Sequence, residues 1–407
     1  MTTTKNNEHK KLNFSSEREQ SQACLNSAEH EKNQGRKVLN VPNLRFPEFQ
    51  GEWEEERLAD IADLYKGTGI SKDQLSDDGE PCILYGELYT KYKSETIREV
   101  ISKTNIDNTK LVRSKANDVI IPCSGETAED IATARCVLNG NILLGGDLNI
   151  IRLHGYDGAF MSYQLNGRRK YDIAKVAQGV SVVHLYGEHL KGVKTINPCL
   201  EEQKKIASLL ALLDERISTQ NKIIDKLQSL IKGIAQKIVH NNKPNVRSTE
   251  CLECKSSTLQ ESDVYEQGTY PVYGANGIVG YLDNYSTEGE AVYIIKDGSG
   301  VGTVSYVTGK CSASGTLNTL QAKEGYSLQY LYYLLKVFNF EPYKTGMAIP
   351  HIYFKDYGKA KVFCPSYTEQ LQYARLLSAI DTKLLIEQNI LTKLSLQKQY
   401  LLRQMFI

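Results

Sequence analysis

The chain has 407 residues and a formal net charge of +1 at neutral pH, with 24% charged and 41% hydrophobic residues. This length suffices for two or three domains with their own cores, and the composition is that of an ordinary globular protein rather than a disordered one. The balanced charge gives no electrostatic indication of a nucleic-acid partner, although one face can still be locally basic.

Residues 1–40 are polar and contain few aromatic side chains. Such a segment buries too little apolar surface to fold alone, so the sequence predicts a disordered tail or a frayed helix. Residues 1–13 lack the apolar core of a secretory signal peptide, and no apolar run approaches the length of a membrane span. We therefore expect a cytoplasmic protein without a membrane partner.

Residues 41–198 show the pattern of a mixed α/β (α+β) domain. Short apolar runs bounded by Gly and Asp turns predict strands, and a helix is predicted from Phe160 onward. The predicted strands are at 81–85, 118–122 and 148–153. We assign this segment to a first domain.

A long helix is predicted at 199–242, directly after Pro198, because proline fits just outside a helix start but not within a helix. Its apolar residues are spaced alternately by three and four, which is the seam of a coiled coil. These residues are Ile206, Leu210, Leu213, Ile217, Ile224, Leu227, Ile231, Ile234 and Ile238.

A second mixed domain is predicted at 243–365, after a turn-rich linker, and a second long helix at 366–407. The domain's predicted elements are strands at 291–295 and 302–307 and a helix at 328–335. The seam of the second long helix is formed by Tyr373, Leu377, Ile380, Leu384, Leu391, Leu394, Leu401 and Met405.

Residues 179–238 recur at 346–405 in one ungapped register, offset by 167 positions. The shared pairs include Gly179/Gly346, His184/His351, Tyr186/Tyr353, Lys194/Lys361, Pro198/Pro365, Gln203/Gln370 and Asp214/Asp381. A match spread this widely indicates one structural unit used twice. The preceding parts of the mixed domains match more loosely, which favours a shared mechanical role for the helices and two different recognition roles for the domains.

One seam position is polar in both long helices, as Gln220 in the first and Glu387 in the second. If the helices pair antiparallel and full length, their midpoints meet and these side chains lie together. We interpret the pair as setting the helix register, because one buried polar pair specifies alignment at a cost in stability. The alternative is two tolerated polar residues. The predicted pair is roughly 60 Å long, for about 40 residues at about 1.5 Å each, and Lys398 is a second polar break in one helix only.

Several motifs resemble one family of proteins. They are the segment 271–281 (PVYGANGIVGY), its continuation 296–302 (KDGSGVG), the Pro-x-x-x-Glu-Gln sequence before each long helix at 198–203 and 365–370, and the segments 43–47 and 85–92. With these residues the chain resembles the DNA-specificity subunits of type I restriction–modification systems. The resemblance extends from about residue 41 to the end of the chain.

The resemblance implies a non-catalytic DNA reader. Such subunits carry two target recognition domains, each reading half of a split double-stranded DNA site. Two antiparallel helices hold the domains apart with pseudo-twofold symmetry and dock the methyltransferase subunits. Restriction and translocase subunits join the same complex. The family's S-adenosylmethionine, ATP and Mg²⁺ belong to those partners, so no cofactor is expected on this chain.

Candidate DNA contacts are polar residues interleaved with tyrosines in predicted loops, because such side chains bind phosphates and base edges. In the first domain they are Lys66, Thr68, Tyr85, Glu87, Tyr89, Lys91, Ser124, Glu126, Thr127 and His184. In the second they are Tyr273, Asn276, Lys296, Ser299, Thr316, Asn318, Lys344, Thr345 and His351. For the two histidines, as for the others, a structural role is the alternative.

Two other function classes remain alternatives. An enzyme finds little support, because the chain has no P-loop and its Gly298–Gly302 segment lacks the strand–helix context of a dinucleotide-binding loop. The pair Cys251 and Cys254 lacks the second cysteine pair or histidines of a zinc site, so reduced thiols and no metal are expected. The other alternative is a coiled-coil scaffold whose mixed domains bind proteins.

Overall fold

The computed structural model describes residues 39–107, 109–179 and 182–407. Except for its last two residues, the predicted tail at 1–40 lies outside the described residues. The chain divides into two compact units, one formed by residues up to 211 with 399–407, the other by 212–398. None of the described helices is both long and apolar enough to cross a lipid bilayer.

The described part of the first unit contains a mixed domain. Its strands are β1 (Glu54–Arg57), β2 (Ala62–Lys66), β3 (Leu75–Ser76), β4 (Glu80–Ile83), β5 (Thr96–Ile97), β6 (Ser102–Thr104), β7 (Asp118–Pro122), β8 (Ser124–Gly125), β9 (Arg135–Val137), β10 (Leu143–Leu144), β11 (Leu148–Leu153), β12 (Val183–His184) and β13 (Lys194–Asn197). Its helices are α1 (Leu58–Ile61), α2 (Glu87–Thr90), α3 (Ala128–Ile131), α4 (Gly158–Asn166), α5 (Lys170–Val176) and α6 (Gly187–Leu190), followed by the start of α7 (Leu200–His240).

The first domain is organised around a five-stranded sheet in the order β2-β11-β7-β9-β5. Its central strand β7 is buried along its whole length, and successive side chains point to opposite faces of the sheet. Val119 and Ile121 join the core with Met161 of α4, whereas Ile120 packs with Ile83 of a second, four-stranded sheet. The alternation therefore places the main sheet between a helix and a smaller sheet.

The second unit contains the second mixed domain. Its strands are β14 (Val246–Arg247), β15 (Leu252–Ser256), β16 (Tyr270–Gly274), β17 (Gly277–Leu282), β18 (Glu290–Ile295), β19 (Val304–Thr308), β20 (Ser312–Ala313), β21 (Leu317–Ala322) and β22 (Lys361–Val362). Its helices are α8 (Ser248–Cys251), α9 (Leu328–Lys336) and α10 (Phe354–Tyr357), followed by α11 (Tyr367–Gln404).

The second domain repeats the plan of the first. Its main sheet has the order β15-β21-β18-β19, and a smaller sheet has the order β17-β16-β20. Val292 and Ile294 of β18 pack with the cluster around α9, whereas Tyr293 faces the smaller sheet. Each smaller sheet also contains one parallel pair at the equivalent place, β4 with β10 and β16 with β20. Two domains of one mixed α/β fold confirm the predicted internal repeat.

The two long helices pair antiparallel in the second unit. The Lys398 Nζ of α11 lies 2.6 Å from the Asp214 Oδ1 of α7, so the second polar break is an ion pair. Farther along, Ile231 and Ile238 share a core cluster with Leu377 and Ala374. Rising residue numbers on α7 thus meet falling numbers on α11, which confirms the predicted antiparallel coiled coil.

Gln220 and Glu387 are brought together, as the shared polar position predicts. The Gln220 Nε2 donates to the Glu387 backbone oxygen at 3.0 Å and also to its carboxylate. Lys383, one helical turn away, forms an ion pair with the same carboxylate. The hydrogen bonds from Lys383 and then Gln220 lower the pKa of Glu387 below its ordinary value, so the carboxylate stays ionised although the residue is buried.

A buried glutamine links each long helix to the preceding domain and explains the repeated Pro-x-x-x-Glu-Gln sequence. Gln203 donates to the Pro198 oxygen at 2.8 Å and accepts from the Asp157 N–H at 2.9 Å. Gln370 repeats this with Pro365 at 2.9 Å and with the Ser327 N–H at 3.0 Å. Asp157 and Ser327 are the N-caps of α4 and α9.

We predict that Lys398→Met destabilises the protein by about 3 kcal/mol, because the buried Asp214 carboxylate loses its cation. The double variant Lys398→Met/Asp214→Leu is expected to recover most of this loss, since an apolar pair of similar volume replaces the ion pair. Urea unfolding of the three proteins measures the difference. Equal stability of the single variant and the wild type would contradict the buried ion pair.

Candidate nucleic-acid interface

In the first domain, three of the predicted residues line one cleft of about 330 Å³: Lys66, Ser124 and His184. Lys66 ends β2, and β8 pairs antiparallel with β12, which places His184 opposite Ser124. The His184 Nδ1 lies 3.3 Å from the Ser124 Oγ. An exposed ammonium group, a hydroxyl and an imidazole thus line one cleft.

The chemistry of this cleft suits binding rather than covalent reaction. Cys123 also lines it, but burial raises the pKa of that thiol to about 11, so it is protonated and weakly nucleophilic at neutral pH. The Lys66 Nζ lies 3.9 Å from the Asp147 Oδ1, and both side chains are exposed. Such a surface ion pair is weak, which leaves the lysine able to bind a phosphate.

Other predicted residues of the first domain lie on the segment that follows β7. The Tyr89 hydroxyl donates to the Ser124 backbone oxygen at 3.3 Å. Thr127 caps α3, its Oγ1 accepting from the Asp130 N–H at 3.1 Å, and Glu126 beside it is exposed. Tyr89 of α2 therefore contacts the start of the segment that carries Ser124, Glu126 and Thr127.

In the second domain, four predicted residues lie together. The His351 Nδ1 lies 2.6 Å from the Asp297 Oδ1, and the backbone of His351 pairs with that of Thr345. The Lys296 oxygen accepts from the Ile352 N–H at 2.9 Å, and the Lys296 N–H donates to the Thr316 oxygen at 3.0 Å. Lys296, Thr316, Thr345 and His351 thus occupy the place that corresponds to the cleft of the first domain.

Tyr273 joins this cluster through Ser314, the residue after β20. The Ser314 N–H donates to the Tyr273 oxygen at 2.8 Å, and the Ser314 Oγ lies 2.8 Å from the Thr316 Oγ1. Asn276 is exposed in the turn between β16 and β17, and Ser299 is exposed in the loop after Lys296. Lys344 instead donates to the Glu341 carboxylate at 2.5 Å.

Glu87, Asn318, Thr68 and Lys91 have internal partners that fit a structural role. Glu87 is 5% exposed and accepts from the Lys91 Nζ at 2.7 Å and the Leu84 N–H at 3.0 Å. Asn318 is 3% exposed, and its Oδ1 accepts from the Ser256 Oγ at 3.0 Å. The Thr68 Oγ1 accepts from the Val112 N–H at 3.0 Å.

The sequence prediction missed the partners of the two histidines and the full extent of the shared surface. Ser124 and Asp297 face equivalent histidines. The 167-position offset that relates the histidines does not relate Ser124 to Asp297, so the sequence repeat did not reveal these partners. Tyr186 and Tyr353 are 53% and 47% exposed, and their rings stack with His184 and His351 at centroid distances of 6.3 and 6.5 Å. The sequence repeat could have revealed the tyrosines, since Tyr186 and Tyr353 are matched at the same offset of 167 positions.

No group of three or more His, Cys, Asp or Glu side chains is arranged to hold a metal ion among residues 39–107, 109–179 and 182–407. Cys251 and Cys254 lie on α8 and β15, the first buried and the second half-buried. Burial raises the pKa of the Cys254 thiol to about 11.

The comparison with protein families decides the identity. The profile described as "Type I restriction modification DNA specificity domain" matches residues 50–229 and again residues 249–396. The chain belongs to this family. It is a type I specificity subunit with two target recognition domains, each match covering one mixed domain and most of the long helix that follows.

Relatives support the same assignment. The EcoprrI specificity subunit of Escherichia coli is 28% identical over 117 residues, 29% of this chain and 29% of that protein. The MjaVIII specificity subunit of Methanocaldococcus jannaschii is 28% identical over 196 residues, 48% of this chain and 43% of that protein. The matched segments thus span less than half of either relative.

One solved structure has the same fold over nearly the whole chain. It is the crystal structure of a type I restriction–modification system S subunit from M. genitalium, with a TM-score of 0.66 and 19% identity. The match covers 90% of this specificity subunit and 99% of that chain.

We predict that Glu87→Ala destabilises the specificity subunit by about 2 kcal/mol, because Lys91, Ser102 and the Leu84 N–H lose a buried acceptor. The matched variant Glu126→Ala, at an exposed position, is expected to change stability by less than about 0.5 kcal/mol. Urea unfolding measures both. A Glu87→Ala protein of wild-type stability would show that this carboxylate is free for another role.

Proposed function

We propose that this chain is the non-catalytic DNA reader of a type I restriction–modification complex, with each target recognition domain binding one half of a bipartite double-stranded site. The observation that carries the proposal is the pair of equivalent polar clusters on two copies of one fold. The clusters keep the histidine and the tyrosine but differ around them, with Ser124 in one and Asp297 in the other. Equivalent placement with different chemistry suits two half-sites of different sequence.

The exposed and half-buried members of the clusters are the contacts we propose. Lys66 and Lys296 are placed for phosphates or guanine, because an ammonium group binds anions and base acceptors. Asn276 can pair with adenine and Glu126 can accept from cytosine, while Ser124, Thr127, Ser299 and Thr345 offer hydroxyls to either. Tyr85, Tyr89 and Tyr273 add contact area beside them. Glu87, Asn318, Thr68 and Lys91 stabilise these loops through hydrogen bonds within the chain.

We further propose that α7 and α11 set the spacing of the half-sites and dock the methyltransferase subunits. Apolar side chains on both helices stay exposed in this chain although the seam is filled, and exposed apolar surface is typical of a partner interface. They include Leu212 and Leu230 on α7 and Leu376, Leu385 and Leu396 on α11. In this proposal S-adenosylmethionine, ATP and Mg²⁺ act on the methyltransferase and restriction subunits.

A domain exchange tests the proposal in cells that contain the cognate methyltransferase subunit. Adenine-methylation mapping should show a split motif only when this specificity subunit is present. Replacing residues 246–345 by the equivalent segment of another specificity subunit should change one half of that motif and leave the other half and the gap unchanged, because the helices that set the gap are intact.

One result would contradict the proposal. If the methyltransferase is shown to be active but no methylation motif depends on this chain, the chain is better described as a protein scaffold. Purified protein should bind DNA with an affinity that falls steeply as salt rises, because phosphate contacts release counterions. Binding without salt dependence would contradict the proposed contacts.

A further inference from the structure

A short loop in the second domain presents apolar side chains to solvent. It runs over residues 345–351 and is called here the tip loop. Its Met347 is fully exposed and its Ile349 is 58% exposed. The hydrophobic effect in folding does not account for such exposure, because Met347 buries no apolar surface and Ile349 buries less than half of its own.

The tip loop is held at its base by hydrogen bonds. The Thr345 and His351 backbones exchange two, at 2.9 and 2.7 Å, and the Gly298 N–H donates to the Pro350 oxygen at 3.0 Å. Gly346 has φ +89, and a Cβ there would lie 2.2 Å from the Ile349 oxygen, so only glycine fits. The apolar tip therefore projects from a defined base rather than from a loose segment.

The first domain builds the same base. Gln178 and His184 exchange backbone hydrogen bonds at 2.9 and 2.7 Å. Gly179 has φ +125, and a Cβ there would lie 2.1 Å from the Val182 oxygen. Val182, which corresponds to Ile349 in the repeat, is 53% exposed. The base is thus common to both domains, whereas the repeat-matched sequences between the paired residues differ, Met-Ala-Ile at 347–349 against Val-Ser-Val at 180–182.

The tip loop carries no cationic side chain that could neutralise a phosphate. Residues 345–353 and 178–186 contain no lysine or arginine, and neutralisation of phosphates depends mainly on these two residue types. In the major groove, the apolar group that a base presents is the 5-methyl of thymine, and apolar side chains recognise it. A methionine and an isoleucine at a projecting tip are suited to that group.

The position and the variation of the tip favour DNA over a protein partner. The base of the tip loop is bonded to Asp297 and Gly298, beside the proposed contacts Lys296 and Ser299. A methyltransferase subunit that binds both domains meets the same base twice and would favour the same tip twice. Two different half-sites require different sequences at these positions. The two sequences do differ, which is the pattern expected for DNA.

We propose that Met347 and Ile349 contact thymine methyl groups in the second half-site, and that the tip loop helps to determine its sequence. This inference rests on the proposed function and assigns a base class to one element of it. The hydrogen-bonded base of the loop holds the tip in place, and the apolar side chains distinguish thymine from cytosine by the methyl group.

The test uses the specificity subunit assembled with its methyltransferase subunits and a duplex that carries the methylated motif. Affinity is measured by fluorescence anisotropy at several salt concentrations. We expect Met347→Ala/Ile349→Ala to weaken binding about tenfold, with an unchanged slope of affinity against salt, because no phosphate contact is lost. Lys296→Ala is the contrasting variant, expected to reduce the slope by about one.

The matched control is Ile101→Ala, which shortens an isoleucine of similar exposure, 61%, in the first domain. It is expected to bind as the wild type does. This control separates a contact made by the tip from a general effect of removing exposed apolar surface.

Thymine itself is tested by replacing each thymine of the second half-site with deoxyuridine, which removes only the methyl group. At one or more positions the wild type should lose affinity, and the double variant should bind both duplexes equally. No sensitive position, or an equal loss in wild type and variant, would overturn the proposal.

Two further outcomes distinguish a failure of this inference from a failure of the proposed function. If the double variant keeps its half-site preference but loses its methyltransferase subunits, the tip is a protein contact and the proposal is overturned. If the wild-type complex shows no site preference, the proposed function itself fails, and this inference fails with it.

Discussion

The junction between each mixed domain and its long helix depends on one buried glutamine. Gln203 and Gln370 are 1% and 2% exposed. In each, the side-chain amide donates to the oxygen of the proline before the long helix and accepts from the backbone N–H of the residue that caps a helix of the domain. A buried amide without partners costs free energy, so this residue is stable only when both segments are in place. The first turns of each long helix are therefore fixed against the N-cap of a helix in the preceding domain.

The two halves use the neighbouring glutamate differently. Glu202 receives two hydrogen bonds from Arg45, at 2.8 and 2.7 Å, whereas Glu369 accepts from the Ser366 hydroxyl at 2.6 Å and caps its own helix. Asp214 and Asp381 also match in sequence but not in role, since Asp214 pairs with Lys398 and Asp381 accepts from the Tyr333 hydroxyl at 3.1 Å. The repeat thus preserves backbone positions more strictly than side-chain partners.

A repeated backbone with different side-chain partners is useful in a protein with two target recognition domains. The strands and the loop bases are common to both domains, because a sheet of one topology is needed to place the loops. The side chains around the loops differ, as with Ser124 and Asp297 opposite equivalent histidines. A shared scaffold with different side chains is suited to reading two unlike sequences with one geometry, which is the function we propose.

The sequence by itself determined the periodic features of this protein. The three-and-four spacing on α7 and α11, the proline before each helix and the shared polar position at Gln220 and Glu387 predicted the antiparallel pair, because a long seam can be buried only against another seam. Strands β7 and β18 were predictable for a related reason, since their continuous apolar runs must be covered on both faces.

Only the tertiary structure decided which polar residues face solvent. Glu87 and Glu126 are both glutamates in predicted loops, yet one is buried with three donors and the other is exposed. Asp297 meets His351 across 54 residues, and Met347 is exposed although its residue type favours a core. Such outcomes depend on contacts between segments that are distant in the sequence, and the local sequence does not predict those contacts.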